Sequence, residues 1–309
     1  MSILYFLESI RNPIMDAIIS FITLFGEETL FIVIGLMVFW CASKSCGYYI
    51  LCVGFLGTVI NQFLKMWFRV PRPWIKDPSF TIVESAREAA SGYSFPSGHT
   101  QVSVGLYGGI ARWTKSRVLR AVLICLCLLV PFSRLYLGVH TPLDVGVSLI
   151  IAGVLVFGGY KLFKKAEGSP KTMYTILFTL AVVTVAYLLF ICNYNFPENV
   201  YTDTNIHNLI SARENGYTML GCIAGLICIY TADNKFIKFD TKAVWWAQIL
   251  KVVIGIALVL AVKEGLKGPL EILFGTNLIA RSIRYFLVVI VGGALWPMTF
   301  KWFGKLGTK

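Results

Sequence analysis

Three separated blocks of this sequence contain residue types that together can grip a phosphoryl group and transfer it. The blocks hold three cations, two histidines, a serine followed by a glycine, and one aspartate. In chain order these residues are Lys65, Arg72, Ser97, Gly98, His99, Arg134, His140 and Asp144. Cations neutralise phosphoryl oxygens, and a neutral imidazole can attack phosphorus or carry a proton. The blocks therefore indicate phosphoryl transfer through histidine.

The order and spacing of the blocks resemble the signature of the type 2 phosphatidic acid phosphatase superfamily. That superfamily includes lipid phosphatases, glucose-6-phosphatase and the vanadium haloperoxidases. The pattern is Lys, six residues, Arg-Pro, then Pro-Ser-Gly-His, then Ser-Arg, five residues, His, three residues, Asp, and this chain fills every position. The resemblance covers roughly residues 1 to 165. It implies a six-helix phosphatase core and an enzyme that uses no metal and no other cofactor.

Lys65, Arg72 and Arg134 are predicted to bind the phosphoryl oxygens. Lys65 lies in the end of an apolar helix, where a charge is unfavourable and usually functional. The planar fork of Arg72 suits two phosphoryl oxygens, and snorkelling at the membrane interface is its alternative role. Ser97 and Gly98 open the next helix, whose first N–H groups should face an anion, while Gly98 permits close approach. Ser97 also suits a plain N-cap.

His140 is predicted to be the nucleophile, forming a phosphohistidine that water later hydrolyses. Asp144 follows on the same side of a first helical turn, where it can accept the proton of one ring nitrogen and leave the other free to attack. Thr141 and Asp144 also match a helix capping box, which is the structural alternative. His99 is predicted to protonate the leaving oxygen, although a histidine at a helix start is often only a polar surface residue. His207 matches no motif and is expected to be solvated.

The composition predicts an integral membrane protein. The chain has 309 residues, of which 57% are hydrophobic and only 14% are charged. Its net charge of +12 fits basic cytoplasmic loops, and nucleic acid is not an expected partner because no soluble basic domain is present to bind it. The eight cysteines lie in or beside apolar segments without a Cys-x-x-Cys pair, so neither a disulfide framework nor a zinc site is expected.

The apolar runs predict an all-α, polytopic membrane bundle of about ten helices. These runs are 12–26, 28–43, 46–67, 98–114, 118–136, 141–162, 172–193, 216–232, 244–263 and 283–302. The phosphatase core is assigned to residues 1–165, and residues 166–309 are predicted to add about four transmembrane helices. The first two runs are an exception, since Gly26-Glu27-Glu28 could be the tip of one re-entrant pair. Residues 82–90 are expected to form a short surface helix.

The positions of the basic residues predict the orientation. Four clusters fall on one side: Arg112 to Arg120, Lys161 to Lys171, Lys235 to Lys242, and the tail with Lys301, Lys305 and Lys309. Because short basic loops stay in the cytoplasm, both termini are predicted to be cytoplasmic, with the site on the outer face of the cell (plasma) membrane. The loop 68–97 and the acidic stretch 195–215 belong to that outer face. We interpret the cations of loop 68–97 as residues that bind the phosphate of the substrate.

Residues 166–309 contain no motif that identifies a role. Charged residues nevertheless lie in or near their apolar runs: Lys251, Lys263, Glu264, Arg281 and Arg284. Snorkelling or a Lys–Glu pair is the simpler explanation. The alternatives are a groove for a lipid tail or for a second part of the substrate, and a surface for a homodimer.

The leading hypothesis is a membrane phosphatase whose partners are a membrane lipid substrate and the bilayer. Candidate substrates are phosphatidic acid, phosphatidylglycerol phosphate, a sphingoid-base phosphate and a polyprenyl diphosphate. A second hypothesis is a sugar-phosphate phosphatase of the glucose-6-phosphatase kind. A transporter or flippase of anionic lipids is a third, suggested by the many spans and the intramembrane cations.

Overall fold

The computed structural model describes residues 1–196, 202–275 and 278–306, and within these ranges it contains helices and no strand. The helices are α1 Ser2–Ser9, α2 Pro13–Thr23, α3 Glu28–Met37, α4 Lys44–Phe68, α5 Pro73–Lys76, α6 Gly98–Ser103, α7 Gly109–Trp113, α8 Arg117–Tyr136, α9 Pro142–Ala166, α10 Pro170–Cys192, α11 Asp203–Ala232, α12 Trp245–Gly265, α13 Lys267–Phe274, α14 Leu278–Ile290, α15 Trp296–Met298 and α16 Phe300–Phe303. The predicted all-α membrane fold is confirmed. Lys309 of the predicted basic tail and residues 197–201 of the predicted acidic stretch lie outside the described residues.

Seven helical segments of the described chain are long and apolar enough to cross a membrane. Four of them lie after residue 166, as predicted: Pro170–Cys192, Asp203–Ile237, Trp245–Phe274 and Leu278–Phe303. The runs predicted as separate spans at 12–26 and 28–43 instead form one bent pair, Pro13–Gly26 and Glu28–Ala42, with an angle of 54°. Each half is too short to cross a bilayer alone, so the pair supplies at most one further span. The predicted run 98–114, helical from Gly98 to Trp113, is shorter than the seven segments and is not among them, so the described residues give seven or at most eight such spans and not ten.

The chain forms two compact units. The first contains residues 1–32 and 49–162, and the second contains residues 33–48 and 163–309. All predicted site residues belong to the first unit. The domain boundary placed after residue 165 stays a prediction.

The N-terminal helix of the first unit packs on the loop that follows α4. Leu4 of α1 is fully buried. The Tyr5 hydroxyl donates to Asp77 Oδ2 at 2.6 Å, and Glu8 Oε1 accepts the Thr81 N–H at 2.8 Å. The N-terminus therefore lies on the face that carries this loop. The prediction that the N-terminus lies on the face opposite the site is therefore wrong, and a single crossing by the bent pair, in place of the two predicted, accounts for this.

Residues 82–90, predicted as one surface helix, form two short 3₁₀ turns, Glu84–Ala86 and Glu88–Ala90. The tight turn between α8 and α9 depends on Gly138, whose φ is +82°. A Cβ there would lie 2.7 Å from Arg11 Nη2 and 3.0 Å from the Phe80 ring, so both the backbone and the packing require glycine. This turn holds His140.

In the second unit, α11 and α14 pack through small residues. Gly221 and Gly225 of α11 face α14 where a Cβ would clash, which lets the backbones approach closely. The expected Lys–Glu pair is present, since Lys263 Nζ lies 3.2 Å from Glu264 Oε1. Lys251 is fully buried and donates a hydrogen bond to the Thr241 carbonyl at 3.0 Å. Lys251 therefore does not snorkel to water.

Candidate active site

Arg72 connects two loops of the first unit through backbone carbonyls. Its side chain is buried, and its Nε, Nη1 and Nη2 donate to the carbonyls of Gly92 at 3.0 Å, Val139 at 2.9 Å and Ser91 at 2.8 Å. Arg72 Nη1 also lies 3.0 Å from His140 Nε2. The Arg72 guanidinium, predicted to bind two phosphoryl oxygens, is therefore hydrogen-bonded to the protein itself. Its Nη1 is the atom that lies beside the predicted nucleophile.

Lys65 occupies the last turn of α4. Its Nζ donates to the Tyr93 carbonyl, in the same loop that Arg72 holds. Since an ammonium has three N–H donors, this bond leaves donors for a phosphoryl oxygen. Both cations of the first block thus bind carbonyls of residues 91–93, which lie just before the second block in the chain.

Ser97 caps α6, which confirms its predicted N-cap role. Its Oγ accepts the Thr100 hydroxyl at 2.9 Å and the Thr100 N–H at 3.4 Å, and its own N–H donates to the Asp144 carbonyl at 3.2 Å. A Cβ built on Gly98 would meet one described atom within 4 Å, Asn61 Oδ1 at 3.9 Å, so the approach to the first N–H groups of α6 is open. In the described part of the chain, His99 Nε2 is buried without a hydrogen-bond partner.

Arg134 is fully buried near the end of α8. Its Nη1 donates to Thr23 Oγ1 at 2.8 Å, whereas Nε and Nη2 have no partner among the described residues. Its carbonyl accepts the Val139 N–H at 3.2 Å, which fixes the start of the His140 turn. Sequence reasoning missed Thr23, which is one of several polar residues in the run 12–26 and belongs to no motif.

His140 and Asp144 lie beside each other at the start of α9. His140 Nδ1 is 3.5 Å from Asp144 Oδ2, just beyond normal hydrogen-bond length, and both side chains are buried. Asp144 Oδ2 accepts the Thr141 N–H at 2.7 Å, and the Asp144 N–H donates to Thr141 Oγ1 at 3.3 Å. The capping box is thus formed while the carboxylate faces the imidazole, and the two interpretations are compatible.

Ser94 is a second residue that sequence reasoning missed. Its hydroxyl is fully buried and donates to Asp144 Oδ2 at 2.6 Å. Together with the Thr141 N–H, this bond restrains the carboxylate that faces His140 Nδ1. No spacing rule links Ser94 to Asp144, so the sequence carried no signal for it.

The surroundings keep His140 neutral. Burial lowers the pKa of His140 well below its usual value, and the positive charges of Arg72 and Arg134 lower it further. Lys65 and His99 act in the same direction. Because the neutral imidazole is the nucleophilic form, this environment preserves a nucleophile in mildly acidic solution.

We expect the acidic limb of the pH profile of kcat/KM to lie below pH ~6.5, where an ordinary histidine titrates. Because the pKa of His140 is lowered, its imidazole stays neutral in the free enzyme at pH ~6.5 and above. Activity is lost only as the pH falls through the lowered pKa. Two substrates with different phosphate pKa values distinguish protonation of the enzyme from protonation of the substrate. A limb that comes from the enzyme has the same pH midpoint with both substrates. A shared limb at or above pH 6.5 would contradict the prediction.

Comparison with known proteins identifies the family of this chain. Residues 45–168 match the PAP2 superfamily, and residues 217–309 match the description "PAP2 superfamily phosphatase, transmembrane extension". The chain is 30% identical over 151 residues to undecaprenyl-diphosphatase BcrC of Bacillus subtilis (strain 168), covering 48% of this chain and 74% of that protein. The chain belongs to the PAP2 superfamily. It is an integral membrane phosphatase of phosphoric esters.

Other relatives of this PAP2 phosphatase are also named as lipid phosphatases. Phosphatidylglycerophosphatase B of Bacillus subtilis (strain 168) is 29% identical over 163 residues, which is 48% of this chain and 74% of that protein. A probable sphingosine-1-phosphate phosphatase of Dictyostelium discoideum is 30% identical over 159 residues, 47% of this chain and 38% of that protein. The crystal structure of LpxE from Aquifex aeolicus aligns with a TM-score of 0.47 and 23% identity, covering 52% of this chain and 93% of that one.

Proposed function

We propose that this PAP2 phosphatase hydrolyses a phosphomonoester or diphosphate of a membrane lipid through a phosphohistidine at His140. The observation that carries the proposal is the position of His140 Nε2, 3.0 Å from Arg72 Nη1, with Nδ1 facing Asp144 at 3.5 Å. An imidazole that faces a carboxylate at one nitrogen and a cation at the other is arranged to attack an anionic phosphoryl group.

In the first half-reaction, His140 Nε2 forms a bond to phosphorus as the bond between phosphorus and the leaving oxygen breaks. Asp144 accepts the Nδ1 proton in a hydrogen bond and stabilises the charge that develops on the imidazole. His99 gives a proton to the leaving oxygen. In the second half-reaction, water attacks phosphorus, His99 takes the water proton and the N–P bond breaks. His140 is then regenerated.

The charge of the site supports a doubly charged phosphate and a reaction without metal. Lys65, Arg72 and Arg134 contribute three positive charges, and Asp144 contributes one negative charge, leaving an excess of two. A phosphate monoester dianion balances that excess once His99, whose proton adds a third positive charge, has given that proton to the leaving oxygen. The first N–H groups of α6, which begins at Gly98, add fixed dipoles, so the protein supplies the electrostatic stabilisation of phosphoryl transfer.

A lipid is the substrate that the surroundings of the site favour, and the outer face is the side that the charges favour. The relatives named above act on lipid phosphates, and Lys65 lies within a membrane-length helix. At the end of α8 remote from Arg134, Arg112, Lys115, Arg117 and Arg120 form a basic cluster typical of a cytoplasmic loop. We therefore propose that the site faces outward at the cell membrane.

The test is phosphate release from a panel of detergent-solubilised lipid phosphates, lipid diphosphates and sugar phosphates, with EDTA present. We expect His140→Ala to lower release from the best substrate by roughly 10³-fold or more, because the nucleophile is lost. His207→Ala is the control, since His207 is exposed and remote from the motifs in sequence. Release by intact cells from a short-chain, impermeant lipid phosphate checks the outward orientation.

Each result of the panel decides between the hypotheses. Faster hydrolysis of sugar phosphates than of lipids would replace the lipid proposal with the glucose-6-phosphatase kind. Lipid translocation that survives His140→Ala, with no hydrolysis by the wild type, would favour a transporter. Activity that EDTA removes would overturn metal independence.

A further inference from the structure

Asn61 borders the open space beside the second motif block. It lies on α4 one turn before Lys65, so both side chains share one face of that helix. Its side chain is 4% exposed, and its Oδ1 lies 3.9 Å from the position of a Cβ on Gly98. The amide of Asn61 is therefore the group that bounds the approach to the start of α6.

The nitrogen of the Asn61 amide is not engaged by the described residues around it. In residues 1–196, 202–275 and 278–306, Nδ2 is buried and has no hydrogen-bond partner. Buried polar groups are normally paired, and each unpaired one invites a functional explanation. Because the amide can rotate, its N–H₂ can turn toward Gly98 with little change in packing.

The direction of the reaction points to the leaving group as the partner of this amide. In an in-line displacement the leaving oxygen departs on the side of phosphorus opposite His140 Nε2. The group proposed to protonate that oxygen is His99, which follows Gly98 directly. Asn61 borders Gly98, the neighbour in sequence of that proton donor, which favours the leaving oxygen as the partner of its amide.

We propose that Asn61 is a further catalytic residue, whose amide N–H donates a hydrogen bond to the leaving oxygen. The inference rests on the proposed function. Asn61 transfers no proton: the bond between phosphorus and the leaving oxygen breaks, the proton comes from His99, and the amide stabilises the partial negative charge before that transfer is complete. Its effect is therefore greatest for a leaving group that is a strong base.

The test compares Asn61→Leu with wild type on an alkyl phosphate and on p-nitrophenyl phosphate. We expect kcat/KM to fall about 10²-fold for the alkyl ester, the size seen when a donor to developing charge is removed. For p-nitrophenyl phosphate, whose leaving oxygen needs little stabilisation, we expect a fall of less than about threefold, since the lost interaction forms mainly with developing charge. Asn61→Ala repeats the comparison with a smaller side chain in case leucine disturbs folding.

Gln101→Met is the matched control. Gln101 is also buried, with both amide atoms unpartnered in the described chain, but its amide packs against Gly57, one turn further from Lys65 along α4 than Asn61. We expect this variant to change both substrates by the same factor. Equal losses for both substrates in the Asn61 variants, or no loss, would overturn the proposal. Failure of the underlying function is separate, because hydrolysis of p-nitrophenyl phosphate would then survive His140→Ala.

Discussion

Replacing Arg134 with methionine is expected to lower kcat/KM about 10²–10³-fold without lowering the melting temperature of the detergent-solubilised protein. Arg134 is fully buried, yet of its three guanidinium nitrogens only Nη1 is bonded to a described residue, through Thr23. A buried charge that is incompletely paired destabilises the fold, and a hydrophobic residue of similar volume is often neutral or stabilising. The donors left free are those that a phosphoryl oxygen would use. Kinetics and thermal unfolding of the same preparation check both halves of the prediction.

Arg72→Met provides the contrast for this prediction. Its three nitrogens bind the carbonyls of Ser91, Gly92 and Val139, so removing them leaves buried acceptors unpaired, at about 1–3 kcal/mol each. This variant should lose both activity and thermal stability. If Arg134→Met also lost both together, Arg134 would be a structural residue. Full activity in Arg134→Met would remove it from the phosphate site.

The two arginines show how a site of this kind divides its cations. Arg72 organises the loops, because its hydrogen bonds join residues 91–92 to the turn that carries His140. Arg134 is held at one end by Thr23 and keeps unbonded donors in a fully buried position. Destabilising features of this type are retained where binding a ligand relieves them. Stability measured with and without inorganic phosphate or vanadate would report that relief.

The spacing within each motif block was sufficient to predict local contacts of the first unit. Pro-Ser-Gly-His predicted a capped helix start, and Ser97 caps α6. The three-residue gap from His140 to Asp144 put both on one side of a helical turn, and the structure has them 3.5 Å apart. These features depend on local geometry, since the period of a helix and the chemistry of a cap can be recognised within a few residues.

Contacts between distant parts of the chain could not be predicted in this way. Thr23 and Arg134 are 111 residues apart, and Ser94 and Asp144 are 50 apart, so no spacing rule connects them. The prediction of the side on which the N-terminus lies failed for a related reason. Hydropathy counts apolar length, and it does not distinguish two short spans from one span broken at Gly26, a difference that reverses the face on which α1 lies.

Asp144→Asn is expected to lower kcat/KM roughly 10³–10⁴-fold while the fold stays intact. Asp144 Oδ2 accepts the Thr141 N–H and the Ser94 hydroxyl, and the same oxygen faces His140 Nδ1. An asparagine oxygen in that position keeps the cap of α9 and still faces Nδ1, but it carries no negative charge to stabilise the positive imidazole that forms as His140 attacks phosphorus. Single-turnover formation of phosphohistidine should slow by the same factor, because the lost charge acts in the first step.

Ser94→Ala separates the loss of the carboxylate's charge from a general disturbance of its position. It removes one hydrogen bond to Asp144 Oδ2 but leaves the negative charge and the capping bonds, so we expect a loss of only about tenfold, equivalent to ~1.4 kcal/mol. If Asp144→Asn stayed within tenfold of wild type, the carboxylate would serve only to cap α9. A hundredfold or greater separation between the two variants requires that Asp144 orients His140 as well, since both variants preserve the same helix start.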